Sequence, residues 1–197
     1  MADSVYLIGI AGPAGAGKDL ISDIICRVYG AENLSTGDFV RAVTRHVYRL
    51  SHDFSPVRDQ LYEVANYMRT QVDPATTVKM CILQAEVLSI KIALVTGLRS
   101  MGEADAIRAA GGIVLAVDAD PRIRYERIHA RKRDAESKKT FEEFLEQDVY
   151  ENKGLSETGA GRGIRAIVDT ADVSIANNGS FETIEQEIKA KLDPYLA

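Results

Sequence analysis

The sequence predicts a three-layer α/β fold, a five-stranded parallel sheet held between two layers of helices. Three observations carry that expectation. Short β-branched apolar runs alternate with stretches of helical periodicity along the whole chain. Its 197 residues suit one domain, and a chain of that size buries roughly 70% of its unfolded surface. Apolar residues make up 46%, charged residues 27%, and Gly and Pro only 15 and 5 positions, a composition of folded rather than disordered chains. No internal repeat or interdomain linker interrupts the pattern, so residues 1–197 are expected to form a single domain.

The first strand is expected over Val5 to Ile10. After a Gly-rich turn, Leu20, Ile21, Ile24, Ile25 and Val28 recur at helical spacing, and Gly30 is placed to end that helix. A short strand follows near Glu32 to Ser35. Phe39, Val40, Val43 and Val47 then mark a helix from Thr36 to about Leu50. Ser55-Pro56 and Asp73-Pro74 each give the cap-then-proline signal for a further helix. Two strongly apolar strands, Lys91 to Thr96 and Ile113 to Val117, flank a helical stretch from Gly102 to Ala110. Pro121 starts a helix to about Arg133, and the capping box Thr140-Phe141-Glu142-Glu143 announces the next one. Lys153 to Gly163 reads as a loop. The last strand, Val173 to Ala176, leads through Asn177-Asn178-Gly179 to a helix capped by Ser180 and carrying Phe181, Ile184, Ile188 and Leu192.

Composition excludes several function classes. With 24 basic and 29 acidic residues the formal charge is −5, against a general nucleic-acid or anionic-membrane binder. No run approaches membrane-spanning length, and the apolar start lacks the flanks of a secretory signal, so a cytoplasmic location is expected. Cys26 and Cys81 share no metal-binding or redox spacing, and His46, His52 and His129 complete no zinc site.

The strongest chemical signal is Gly12-Pro13-Ala14-Gly15-Ala16-Gly17-Lys18, which follows a predicted strand and precedes a predicted helix. Glycines let a backbone wrap a polyphosphate with its N–H groups inward, the helix N-terminus adds positive potential, and Lys18 can bridge terminal phosphates. The dinucleotide pattern GxGxxG does not fit, because Leu20 stands where its third glycine belongs. After the lysine, where a Ser or Thr hydroxyl commonly meets magnesium, this chain has Asp19. Its carboxylate could ligate the ion or serve as an ordinary first-turn acid.

Leu34-Ser35-Thr36-Gly37-Asp38-Phe39-Val40-Arg41 resembles the segment with which adenylate kinases hold an acceptor monophosphate. Thr96-Gly97-Leu98-Arg99 is similar to that family's Gly-Phe-Pro-Arg turn, one residue shorter, and Tyr125 to Arg131 to its Arg-x-x-x-Arg helix entering a lid. Ala171-Asp172-Val173 through Asn177-Asn178-Gly179-Ser180 resembles the final strand and base-contacting loop of dephospho-coenzyme A kinase. These matches follow the family's order along nearly the whole chain. The sequence is therefore identified as a suspected member of the adenylate kinase/dephospho-coenzyme A kinase group of P-loop kinases.

The resemblance implies strand order 2-3-1-4-5, an acceptor-binding helical region near residues 36–90 and a small helical lid near 122–152. It implies ATP and Mg2+ as cofactors and a small-molecule nucleotide acceptor, with no nucleic-acid or membrane partner, in a monomer or homodimer. Phosphoryl transfer between two anions needs cations converging on one place. Lys18, Arg99 and Arg131 are the expected catalytic cations, with Gly12 to Asp19, Arg127 and Asn178 around ATP. Thr36, Gly37, Asp38, Arg41, Gly97, Arg99 and Glu103 are expected around the acceptor, and Asp19 and Asp38 at the metal, since the third strand ends in Thr96 where these kinases usually place an Asp. Arg127 and Arg131 lie one helical turn apart and share a face. Glu103 occupies the position that reads the acceptor base, where a carboxylate would suit guanine's paired donors. Ser100-Met101-Gly102-Glu103 is equally a capping box. The basic run Arg131 to Lys139 is expected to be a mobile lid that excludes water.

The leading functional expectation is transfer of the γ-phosphoryl group of Mg-ATP to a nucleoside or deoxynucleoside monophosphate. The alternatives are a dephospho-coenzyme A kinase, with Asp38 as the base its hydroxyl acceptor needs, and a nucleotide-binding regulatory ATPase with no small-molecule acceptor.

Overall fold

The computed structural model describes residues 5–51, 53–131, 140–153 and 163–196. A five-stranded all-parallel sheet in the order β2-β3-β1-β4-β5 runs through the centre. Its strands are β1 (Tyr6–Ala11), β2 (Glu32–Ser35), β3 (Ile92–Thr96), β4 (Ile113–Asp118) and β5 (Val173–Ala176). Both the fold class and the strand order expected from the sequence are thus found.

Alternation along β1 divides the core. Ile8 and Ile10 face helices α1 (Lys18–Tyr29) and α9 (Phe181–Leu196), where Ile21, Ile24, Ile25, Ile184, Ile188 and Leu192 complete one buried layer. Leu7 and Ala11 face α4 (Thr76–Val87), α5 (Met101–Ala109) and α8 (Ile164–Asp169), packing with Val78, Cys81, Ala85, Ile107 and Ile167. Gly9 belongs to this second face. A Cβ there would stand 2.9 Å from both Ile107 Cγ1 and Leu98 Cδ2, so α5 and the turn before it lie directly on the strand. Burial of a side chain such as Ile188 contributes about 2 kcal/mol relative to its exposure, and its side chain is wholly enclosed.

The remaining helices are α2 (Thr36–Val47), α3 (Arg58–Tyr67), α6 (Pro121–Ala130) and α7 (Phe141–Lys153), with a π-helical turn, Met68–Val72, following α3. Several boundaries differ from expectation. Helix α3 starts two residues after Pro56, because the Gln60 side chain accepts from the Val57 N–H and makes Val57 the cap. At α4, the Asp73 carboxylate accepts from Ala75 N, so the chain turns first and the helix opens at Thr76. Helix α6 ends at Ala130, three residues short of the expected Arg133. Helix α8, which the sequence reading did not anticipate, follows Gly163. Most of the expected lid run (residues 132–139) and of the expected loop (residues 154–162) lies outside the described residues. Among the described residues no helix is long and apolar enough to cross a membrane.

Candidate functional site

The loop from Gly12 to Gly17 joins β1 to α1 at the carboxyl edge of the sheet, where ligands of open α/β sheets gather. Gly17 caps α1 in the left-handed region, φ 88° and ψ 29°, and a Cβ there would meet Asn177 Nδ2 at 2.1 Å. The loop also presses on β4, since a Cβ at Gly12 would fall 2.1 Å from the Val117 carbonyl oxygen. Lys18, the first helical residue, donates from Nζ to the carbonyls of Gly12 at 2.8 Å and Pro13 at 3.0 Å. Burial pushes the Lys18 pKa down to about 8; the nearby Arg99, Arg131 and Arg124 charges add to that, and Asp19 opposes them. Three arginines from two segments, Arg99 before α5 and Arg124 and Arg131 on α6 and its C-cap, therefore add positive charge around the lysine of the loop.

On the flank of the loop, Asn177 Nδ2 donates to the Ala16 carbonyl at 2.8 Å. Arg127 reaches the same carbonyl at 3.5 Å and the Asn177 carbonyl at 3.0 Å. Arg124 donates to the Ala14 carbonyl at 3.3 Å. The expected base-loop residue, Asn178, is exposed and its Oδ1 accepts from Asp120 N at 2.9 Å; the loop contact belongs to its buried neighbour Asn177. Asp19 lies on the surface in the first turn of α1, with Arg131 Nη2 3.9 Å from its carboxylate. Arg127 and Arg131 thus approach the site from one helix face, one against the loop and one beside Asp19.

The β2–β3 pairing builds the opposite half. Its register sets Ser35 beside Thr96, which brings Thr36 next to Gly97. Thr36 is buried and its hydroxyl lies 3.1 and 3.2 Å from the Thr96 and Gly97 carbonyls. A Cβ at Gly97 would stand 2.6 Å from that hydroxyl oxygen, so the turn accepts no larger residue. Gly37 opens α2 beneath the Arg41 guanidinium. Arg41 bonds Asp38, from Nε at 3.2 Å and again from Nη2. The Thr96 hydroxyl donates to Asn33 Oδ1 at 3.0 Å. Asp19 and Asp38 stand on different elements, each beside an arginine, and the described residues contain no cluster of three His, Cys, Asp or Glu able to hold a metal unaided.

Glu103 is fully buried and its carboxylate is completely engaged. Oε1 accepts from Arg69 Nε at 3.1 Å and Thr77 Oγ1 at 2.8 Å; Oε2 accepts from Arg99 N at 2.6 Å and Ser100 N at 3.2 Å. Both bonds of the capping box are present. Of the two uses open to Glu103 in the sequence, the geometry contains the cap, with Oε2 accepting from the backbone N–H groups of Arg99 and Ser100.

Nothing in the sequence singles out Arg69 or Arg124, and the sequence reading assigns no contact of their own to Asn177, within the expected base-contacting loop, or to Asp148, which stands where related kinases often carry an Arg-Asp pair after the lid. Arg124 and Asp148 also line a cavity of about 270 Å³ beside the loop, together with Pro13, Asp118 and Arg165. No local pattern points to Arg124, whose contacts with Asp148 and the loop reach across 24 and 110 positions.

The architecture is that of the P-loop kinases. A shikimate kinase from Bacteroides thetaiotaomicron superposes with a TM-score of 0.58 at 11% identity, over 94% of this chain and 97% of that one. The Thermus thermophilus protein TT1252 gives 0.56 at 22% identity, over 98% and 99% of the two chains. A gluconokinase from Sinorhizobium meliloti gives 0.54 at 14% identity, over 100% and 95%. At these identities the likeness is one of fold. No protein-family model and no curated protein matches the sequence.

Proposed function

We propose that the protein is an ATP-dependent phosphotransferase that moves the γ-phosphoryl group of Mg-ATP to a nucleoside or deoxynucleoside monophosphate. The observation that carries this proposal is the glycine loop closed on Lys18 and flanked from α6, with Arg124 and Arg127 at its carbonyls and Arg131 beside Asp19; burial and the Arg99, Arg131 and Arg124 charges hold the Lys18 pKa low. A polyanion is the ligand that relieves such mutual repulsion. The fold shared with a shikimate kinase and a gluconokinase supports a small-molecule kinase.

Loop N–H groups from Gly12 to Gly17 and the α1 N-terminus cradle the donor phosphates. Lys18 exchanges the Gly12 and Pro13 carbonyls for phosphate oxygens, while Arg127, Arg131 and Asn178 serve the donor side. Magnesium suits this site. It takes one or two carboxylates and otherwise water and phosphate oxygens, and Asp19 offers an exposed carboxylate at the loop. Asp38 is the second oxygen donor proposed for it. When bound, the ion spreads the charge of the β- and γ-phosphates. Thr36, Gly37 and Gly97 shape the acceptor half, in which Arg41 and Arg99 clamp the acceptor phosphate, and Glu103 supports that clamp from beneath through the Arg99 N–H.

A second reading, transfer to a hydroxyl as in dephospho-coenzyme A kinase, draws on the exposed Asp38 carboxylate, which could take the hydroxyl proton. One experiment separates the two. The protein is incubated with Mg-ATP and a panel of ribo- and deoxynucleoside monophosphates and dephospho-coenzyme A while ADP release is followed. Acceptor-dependent ADP with monophosphates is expected, and Lys18→Ala lowers turnover by about 10²-fold or more. Arg41→Ala and Arg99→Ala raise the acceptor KM by roughly tenfold, the cost of a charge-assisted bond. Slow ADP formation indifferent to every acceptor would instead establish a regulatory ATPase.

A further inference from the structure

The phosphate loop owes its shape to carbonyls held from outside. In a trans peptide the C=O of one residue and the N–H of the next point in opposite directions. Holding the Ala14 carbonyl toward Arg124 therefore turns the Gly15 N–H away from α6 and into the bend. Asn177 and Arg127 do the same at Ala16, which turns the Gly17 N–H. The carbonyls of Gly12 and Pro13 are held by Lys18, the group that must leave them when phosphate arrives. The outer contacts do not depend on that exchange.

Of these outer contacts, the one at Ala14 has the most elaborate support. Arg124 is 4% exposed. Its guanidinium makes a two-pronged pair with Asp148, 2.6 Å on each arm, and Nε donates to the Ala119 carbonyl at 3.1 Å. The Phe144 ring lies 5.4 Å from the guanidinium carbon. The Arg124 backbone also touches the loop, since a Cβ at Gly15 would meet its carbonyl oxygen at 2.6 Å. A buried guanidinium aimed at a backbone carbonyl needs its charge compensated, and only a planar fork can hold a carboxylate and two carbonyls together.

We infer that Arg124 and Asp148 are positioning residues of the phosphate loop, and that the pair fixes the peptide plane between Ala14 and Gly15 so that the Gly15 N–H points at the bound polyphosphate. The inference rests on the phosphate-loop part of the proposed function and is independent of the acceptor. Its rival is a pair that serves folding alone. The two diverge because a buried ion pair replaced by apolar residues of similar volume keeps or gains stability. An apolar replacement preserves packing yet leaves the Ala14 carbonyl without its donor.

The test compares the whole protein with Arg124→Lys, Asp148→Asn and the double variant Arg124→Met, Asp148→Leu. Dissociation constants for ATP and for inorganic tripolyphosphate are measured calorimetrically, and unfolding midpoints are recorded for each variant. The expected result is a loss of about tenfold or more for both ligands in every folded variant, as for a lost charge-assisted hydrogen bond. It includes the double variant, whose midpoint stays at or above that of the wild type. If the single variants unfold at the assay temperature, the double variant decides. A folded double variant that binds both ligands within twofold of wild type overturns the inference and leaves the nucleotide site standing. Wild-type protein that binds neither ligand overturns both together.

Discussion

Glu103→Gln separates a cap from a reader of bases. The substitution keeps size and removes charge. A carboxylate accepts from all four of its donors here, whereas an amide has one acceptor oxygen, so one pair of donors, either Arg69 with Thr77 or Arg99 N with Ser100 N, loses its partner. Removing one member of a buried pair costs about 3–5 kcal/mol. Arg69 keeps 13% of its side-chain exposure and so recovers some hydration, which favours the lower end, about 3 kcal/mol. For a chain of this length that is a fall of roughly 6–12 °C in Tm. Denaturant unfolding and calorimetry would measure it, alongside the acceptor panel, in which the order of preference should not change. An unfolding free energy within about 0.5 kcal/mol of wild type, together with an altered acceptor preference, would refute the cap and restore Glu103 to the ligand.

On the proposed function, Lys18 should make nucleotide binding depend on pH. Its pKa in the fold, about 8, lies below its ordinary 10.5, so the folded protein sheds this proton first. The penalty of burying the charge is complete below about pH 8 and fades toward pH 10.5, so this group makes stability rise with pH across that window. Bound phosphates restore the charge. ATP binding near pH 8 should then take up protons, seen as calorimetric heats that vary with the ionisation enthalpy of the buffer; identical heats in all buffers would contradict the assignment. Gly17→Ala should cost about 2–4 kcal/mol, combining left-handed strain with the displaced Asn177 bond. Gly30→Ala, whose Cβ meets nothing within 4 Å, should cost only about 1 kcal/mol. Equal losses in the two would show that the Asn177 contact contributes nothing.

The sheet was legible because its signals are local. β2 and β5 begin and end at the residues expected for them, Glu32–Ser35 and Val173–Ala176, and the glycines and lysine of the loop sit in the strand–helix context that their spacing demands. Helix starts near prolines were less so. Pro56 and Pro74 each stand two residues before a helix, but the side chains of Gln60 and Asp73, which satisfy backbone N–H groups, decide where α3 and α4 begin. The six residues of α8 are too few to establish a period. In the site, the family pattern pointed to Arg127 and Arg131 and passed over Arg124, because a buried arginine is recognised by partners that only the tertiary fold assembles. Glu103 shows the converse: the capping box was visible in four consecutive residues, and the fold adds Arg69 and Thr77 to it.

Gly9 carries no side chain, yet it sets how closely α5 and the turn before it lie on the central strand. With only a hydrogen there, β1 lets Leu98 settle on the sheet, and Leu98 sits between Gly97 and Arg99. One methyl group at Gly9 would act as a shim under the half proposed to hold the acceptor, raising it relative to Lys18 while every polar side chain stayed intact. Since a misplacement of about 1 Å can cost 10²-fold in rate, reach across the cleft can be retuned from the middle of the central strand.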